Sequence, residues 1–212
     1  MDVGPLSFRE ASRADADCVA EIVGGDPSPE SIGVCGDRER ARAFGMALAR
    51  ASLLEGEVRT TVVELEGRPV AVLQTTDGVG DVRITRSTAA IALRVFGLLG
   101  VPGLLFRARA RARVAIRPPR DALHIHELHV ARDLRGRGIG RDVLRYAEAQ
   151  ARARRRPQLS LTTTTDNPAR RLYERAGYRV VETRTDPVYR RLTGIDGRHL
   201  MIKALEAIAP GP

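Results

Sequence analysis

The chain has 212 residues, enough for one domain with a sizeable core, and 35 lysines and arginines against 26 acids give it a formal charge of +9. With 43% hydrophobic residues and charge spread along its length, it is not a disordered chain. The charge points first to nucleic acid. Yet Lys203 is the single lysine, and arginine in such excess beside Ala, Gly, Pro and Val reads as codon bias toward G and C, which argues against a nucleic-acid partner. Cys18 and Cys35 match no metal-ligand spacing and are too few for a disulfide framework, so a reducing, cytoplasmic compartment is expected. Met1 to Arg13 carries acids and no apolar run, unlike a secretory signal.

In chain order, Leu6 to Arg9 reads as a short strand. Ser12 then caps a helix, with Asp15 as its acidic partner and Cys18, Val19 and Ile22 as its apolar face. Asp26-Pro27-Ser28-Pro29 breaks that helix. Ala41, Phe44, Leu48 and Leu53 define a second one over Arg38 to Leu54. Thr60 to Leu65 and Val70 to Thr75 read as strands joined through Glu66-Gly67-Arg68-Pro69 as a hairpin.

Residues from about 83 to 120 read as a helical, basic insertion in a single 1–212 domain: two short helices broken at Gly100-Val101-Pro102, then the run Arg107 to Arg113. Alanine and arginine favour helix over strand, so the run is expected to be helical. Its arginines form either a solvated face or a basic lid over an anionic ligand. Ala89 to Phe106 approaches the minimum length of a membrane span. Arg94 near its centre costs about 2.5–3.5 kcal/mol on insertion, and Gly97, Gly100, Pro102 and Gly103 interrupt it. No span and no membrane partner are expected.

Beyond the insertion the pattern sharpens. Leu123 to Val130 is a strand, Gly138 to about Arg154 a helix, and Leu159 to Thr164 a strand. Asn167 and Pro168 open a short helix that Gly177 ends, and Val180 to Thr183 and His199 to Ala204 are the last strands. Arg135-Gly136-Arg137-Gly138-Ile139-Gly140 sits between strand and helix. Glycines there let a ligand approach the backbone, and the first-turn amides converge on a site for an anion such as pyrophosphate. The spacing is wrong for a dinucleotide fingerprint, and no Gly-Lys-Ser/Thr follows as a P-loop requires.

The segment Leu128 to Gly140 resembles the signature motif of the GCN5-related N-acetyltransferases (GNAT), an apolar strand followed by R/Q-x-x-G-x-G/A at a helix start. Asn167 to Tyr178 resembles the same family's N-x-x-x-x-L-Y-x-x-x-G-F/Y segment about 30 residues downstream. The likeness is strong over Ala122 to Leu205, weak over Leu6 to Thr76, and absent from the insertion. It implies a three-layer α/β/α sandwich around a mixed, mostly antiparallel sheet of six or seven strands, with a splayed parallel pair ending at Val130 and Thr164. It further implies an enzyme that transfers an acetyl group from acetyl-CoA to a primary amine. In that scheme Leu128, His129 and Val130 pair with the pantetheine arm. Arg135, Gly136, Arg137, Gly138, Ile139, Gly140 and Arg141 hold the pyrophosphate. Asn167 binds pantetheine, Arg170 lines the nucleotide side, and Tyr173 protonates the departing thiolate, against the plain alternative of a packing tyrosine.

For the base, strand alternation groups Leu123, Ile125, Glu127 and His129 on one face, and a bulge near Leu128 would change that parity. Glu127 and His126 both remain candidates to face the acceptor, His126 as a substrate contact. The position five before Asn167, a glutamate in some protein N-terminal acetyltransferases, is Thr162, which departs from that pattern. His124, His126 and His129 do not share one face, so no metal is expected. Tyr189 and Arg191, in an expected loop Asp186 to Arg191, are candidate acceptor contacts. The acceptor is a small-molecule or peptide amine, and a homodimer is compatible with the sequence. The alternatives are a non-catalytic acyl-CoA sensor and a nucleic-acid role for the Arg107–Arg113 run.

Overall fold

A computed structural model describes residues 4–56, 58–78 and 85–205. The elements in chain order are β1 (Leu6–Glu10), α1 (Ala16–Gly24), α2 (Pro29–Cys35), α3 (Arg38–Glu55), β2 (Arg59–Leu65), β3 (Arg68–Asp77) and α4 (Arg86–Arg113). After these come β4 (Ala122–Val130), α5 (Ile139–Ala153), β5 (Gln158–Thr164), α6 (Arg170–Arg175), β6 (Arg179–Thr185), α7 (Pro187–Thr193) and β7 (Gly197–Ala204). The seven strands form one sheet in the order β1-β2-β3-β4-β5-β7-β6, antiparallel throughout except for the parallel pair β4–β5. The expected three-layer α/β/α sandwich is observed.

Side-chain alternation builds the two outer layers. Val143, Leu144, Ala147 and Ala151 recur at helical spacing on α5 and bury against Leu73, Leu123, Ile125, Leu159 and Leu161 on one face of the sheet. On the other face Val62 and Val72 meet Val19 and Ile22 of α1 and Leu53 of α3. The β2–β3 turn uses Glu66 and Gly67, both at positive φ (52° and 76°), whose twist suits a two-residue hairpin. The hairpin is therefore tighter than the four residues read from sequence, and Arg68 and Pro69 already belong to β3.

The expected cap at Ser12 opens a single 3-10 turn, Arg13–Asp15, which leads into α1. Asp15 accepts from the Ser12 amide at 2.7 Å and from Arg9 at 2.7 and 2.9 Å. The Arg9 hydrogen bonds overcome the burial of Asp15 and, with the Ser12 bonds, hold its carboxyl well below the usual range. A depressed acid stabilises the fold above its ordinary pKa and loses that contribution as pH falls through the native value. Asp15→Asn should destabilise by about 2 kcal/mol at neutral pH, lowering Tm by roughly 4–8 °C for a chain of this size, and the difference from the native chain should shrink only gradually once the pH falls below the ordinary carboxylate range. Thermal melts from neutral pH into strong acid check it.

Two helices were not expected. α2 begins at Ser28, whose hydroxyl accepts from the Ser31 amide, with Pro29 at the first helical position. α7 begins at Asp186, whose carboxylate accepts from Val188 and Tyr189, with Pro187 next. The Asp186–Arg191 segment is thus helical rather than a loop. In both cases a cap residue before proline marks a helix start, a signal present in the sequence that breaker reading hides.

The 83–120 region interrupts a hairpin. β3 and β4 are antiparallel neighbours, with Asp77 opposite Leu123, and the Gly78 amide donates to the Ala122 carbonyl at 3.2 Å. The chain therefore leaves and re-enters the sheet at one point. The expected boundary near residue 83 lies outside the described residues. The Arg107–Arg113 run is helical, as expected. The break falls at Gly97 (φ 65°, ψ 170°), not at Gly100–Pro102: glycine alone enters that backbone region readily, whereas Pro102 is accommodated early in the second segment.

Candidate active site

β4 and β5 pair only over Ala122–Ile125 and Gln158–Leu161. Beyond Ile125 and Leu161 the two parallel strands part, and the β5-facing edge of residues 126–130 is left without a strand partner. The β3–β4 register shifts here: Glu127 faces Gln74 while Ile125 faces Thr75, so His126 is the extra residue of a bulge. The bulge lies two residues before Leu128, where sequence placed it, and it reverses the side-chain parity. Leu123, Ile125, Leu128 and Val130 all join the α5-side core, while Glu127 and His129 move to the α1–α3 side. His126 is exposed at the bulge itself.

The partly exposed Glu127 carboxylate lies 2.7 Å from Nε2 of His129. Burial works against its charge, yet the His129 hydrogen bond and the charges of His129, His126 and Arg198 bring its pKa down to about 2. It is ionised at any working pH. His124, whose ring lies 3.0 Å from the Ser160 hydroxyl across the β4–β5 pair, is pulled down to about 4 by burial, then by His126 and Arg198, and stays neutral. The three histidines thus serve three separate surroundings.

On the α6 side, Tyr173 is 8% exposed, packs edge-on against Tyr178 with centroids 6.2 Å apart, and has no hydrogen-bond partner among the described residues. Burial, then the charge of Glu127, raises its hydroxyl to about 12, so it stays protonated. Asn167 Oδ1 accepts from the Ala169 amide at 2.9 Å in the turn before α6, which starts at Arg170 rather than at the expected Pro168, and its amide hydrogens are left to offer a ligand. Arg170 is held by Glu174 at 2.7 Å and faces His199 at 3.4 Å, on the β7 side.

The loop from β4 to α5 forms a cradle. Gly136 and Gly138 are both left-handed (φ 79° and 90°), and nothing lies within 4 Å of a Cβ built at Gly136. Gly138 caps α5 with no side chain, and its carbonyl accepts from Arg141 and Asp142, so the amides of Ile139 and Gly140 stay free at the helix start. Arg135 does not reach into this opening. Its guanidinium donates to the Val130 carbonyl at 3.1 Å and to Asp26 at 3.3 Å, tying the loop back to β4. Arg137 is exposed, and Arg141 lies 3.6 Å from Asp142. Open glycines, free amides and cations fit a pyrophosphate.

A charged cluster that sequence did not reveal flanks the cleft. Glu30 of α2 pairs with Arg198 of β7 and Arg111 of α4, and accepts from the Tyr189 hydroxyl at 2.8 Å. Arg198 also donates to Thr162 Oγ1 at 3.1 Å. Burial opposes ionisation of Glu30, and the charges of Arg111 and Arg198 overcome it. Tyr189 is therefore not an acceptor contact: it is fully buried beside Val114 and Ile195 and holds Glu30 in place. Arg191 is exposed on the α2–α7 seam beside Pro29, Gly33 and Arg107. No local signal links Glu30 to Arg198, because only tertiary packing brings α2 within reach of the Arg198 side chain of β7.

A mixed sheet opened between its two parallel strands, with a glycine cradle heading the following helix, defines the acyl-CoA N-acyltransferase fold. Residues 35–178 match the acetyltransferase (GNAT) family model, and the chain belongs to that family. The protein is an acetyltransferase. Similar solved structures include the histone acetyltransferase HPA2 and related acetyltransferase from Corynebacterium glutamicum, with 18% identity and TM-score 0.64 over 97% of this chain and 99% of that one. The PaiA N-acetyltransferase from Thermoplasma acidophilum in complex with coenzyme A has 11% identity and TM-score 0.58 over 95% and 99%. An agmatine N-acetyltransferase variant has 20% identity and TM-score 0.56 over 94% and 99%. At these identities the likeness carries the fold alone. No curated protein matches the sequence.

Proposed function

We propose that this acetyltransferase takes acetyl-CoA as donor and transfers the acetyl group to a primary amine of a small molecule or peptide by direct attack. The observation that carries this reading is the opening between β4 and β5, with the ionised Glu127 carboxylate beside His129 on one side and, on the other, a protonated Tyr173 hydroxyl that has no partner among the described residues. The thioester supplies an activated acetyl group. The free amides of Ile139 and Gly140, with Arg137 and Arg141, hold the pyrophosphate, and the unpaired edge of Leu128 to Val130 takes the pantetheine as an added strand. Asn167 donates to the same arm. Glu127, directly or through water, accepts the proton that the ammonium must lose before its nitrogen attacks the carbonyl carbon. As the new C–N bond forms and the C–S bond breaks, Tyr173 gives its proton to sulfur and recovers one, through water, from the nitrogen that has become the amide. No metal takes part, and the free thiols of Cys18 and Cys35 suit a reducing, cytoplasmic compartment.

Coenzyme A release measured over a panel of agmatine, polyamines, amino acids and peptides tests the reading, together with the thermal shift induced by coenzyme A. No shift and no turnover would sink it. A shift without turnover on any amine would favour a sensor module. Glu127→Gln should lower kcat/KM about 100-fold. Because the Glu127 carboxyl is held down at about 2, it stays ionised across the working range, and the acid limb of the wild-type profile should follow the acceptor amine, shifting when an amine of different basicity is used.

A further inference from the structure

Helix α4 carries most of the exposed large apolar side chains among the described residues: Leu93 is 50% exposed, Leu98 79%, Leu99 96%, Leu105 56% and Phe106 61%, with only Leu54 and Val181 elsewhere. The opposite side of the same helix is anchored. Phe96 and Leu104 bury against Cys35, Ala41 and Phe44, and Arg111 and Arg113 pair with Glu30 and Asp186. By length and composition α4 is apolar enough to cross a membrane, and little of it is buried. It cannot do so in this fold. Gly97 divides it into segments of about 16 and 24 Å, each shorter than a hydrocarbon core of roughly 30 Å. Both ends also return to one point of the sheet, at Gly78 and Ala122, so the chain has no way to finish on the far side.

The most exposed pair, Leu98 and Leu99, directly follows the Gly97 bend and forms its tip. Leu98, Leu105 and Arg109 share one stripe of the second segment, and Leu99 and Phe106 the adjacent one, so the free face grades from apolar at the tip to basic at Arg109. Residues 86–120 contain eight arginines and no acid. A second copy of the chain would bring two such collars together, and their repulsion opposes self-association through this face. An anionic surface with an apolar interior satisfies both features: the tip enters the acyl boundary and the arginines meet phosphates.

We propose that the Gly97 bend of α4 is a monotopic docking tip that seats the protein on a bilayer surface rich in anionic phospholipid. Leu98, Leu99, Leu105 and Phe106 are the inserted side chains, and Arg94 and Arg109 contact headgroups. The expectation of no membrane partner, drawn from the interrupted span, is revised accordingly: the interruptions that forbid crossing create the tip. This proposal does not depend on the acceptor or on the catalytic reading.

Sedimentation of the full chain with vesicles of phosphatidylcholine, with and without phosphatidylglycerol, provides the test. The protein should pellet with the anionic vesicles only, and release as salt is raised. The double substitution Leu98→Ser, Leu99→Ser should weaken binding at least about tenfold, and Arg109→Glu several-fold. Both leucines are solvent-exposed, so the thermal shift with coenzyme A should be unchanged in the double variant. Failure to pellet, or equal binding to neutral vesicles, overturns the proposal. Undiminished binding by the double variant also overturns it, since charge attraction alone would then suffice. A lipid-free dimer that the double variant disperses assigns the face to a second copy instead.

Discussion

Tyr173→Phe is expected to lower kcat about 100-fold while leaving KM for acetyl-CoA nearly unchanged. Only the hydroxyl differs between the two side chains. The ring, 8% exposed and packed edge-on against Tyr178, keeps its place. That hydroxyl has no hydrogen-bond partner among the described residues, so Tm should hold or rise slightly when it is lost. Burial raises the phenol to about 12, so the acid is fully protonated across the working range, and the basic limb of the wild-type rate should not come from Tyr173 below that value. Steady-state kinetics with saturating amine, alongside coenzyme A binding, separate proton delivery from packing. Unchanged kcat in the phenylalanine variant would leave Tyr173 as a packing residue only.

Gly138→Val should weaken coenzyme A binding by roughly 100-fold or more. At φ 90° and ψ −14° the position lies where a β-branched residue is strained, by about 1–3 kcal/mol. A built Cβ meets nothing closer than Arg141 at 3.8 Å, so steric conflict within the protein contributes little. The strain is relieved by turning the peptide out of the left-handed region. That turn re-aims the amides of Ile139 and Gly140, each of which offers a charge-assisted hydrogen bond to pyrophosphate. Calorimetry with coenzyme A reads the loss, and a melt without ligand reads the strain as a Tm lowered by a few degrees. Full affinity in the valine variant would place the anion elsewhere.

The two predictions rest on residues that differ in how far sequence exposes them. Gly136 and Gly138 announce themselves, because two glycines between an apolar strand and a helix have few other uses, and the structure puts both at positive φ. Tyr173 is visible only through its place in the second motif, since a tyrosine on an apolar helix face is ordinary packing by pattern alone. Glu127 was legible as a candidate but not as a geometry. Its side depends on whether β4 takes an extra residue, and the bulge at His126 is fixed by pairing with β3, fifty residues earlier in the chain.

What the sequence determined by itself is what local chemistry controls: the alternation that makes strands, the cap at Ser12, the glycine cradle, and the helical nature of the Arg107–Arg113 run. Each follows from interactions within a few residues. The tertiary structure decided what depends on partners distant in the chain. It parted β4 from β5, moved Glu127 and His129 to the α1–α3 side, turned Tyr189 from an expected acceptor contact into the buried clasp of Glu30, and joined Glu30 to Arg198. It also gave the +9 charge a location. Part of the arginine excess is spent in internal ion pairs such as Arg111–Glu30 and Arg113–Asp186. Arg94 and Arg109 remain on the free face of α4, because burial of Phe96 and Leu104 fixes which side of that helix faces out.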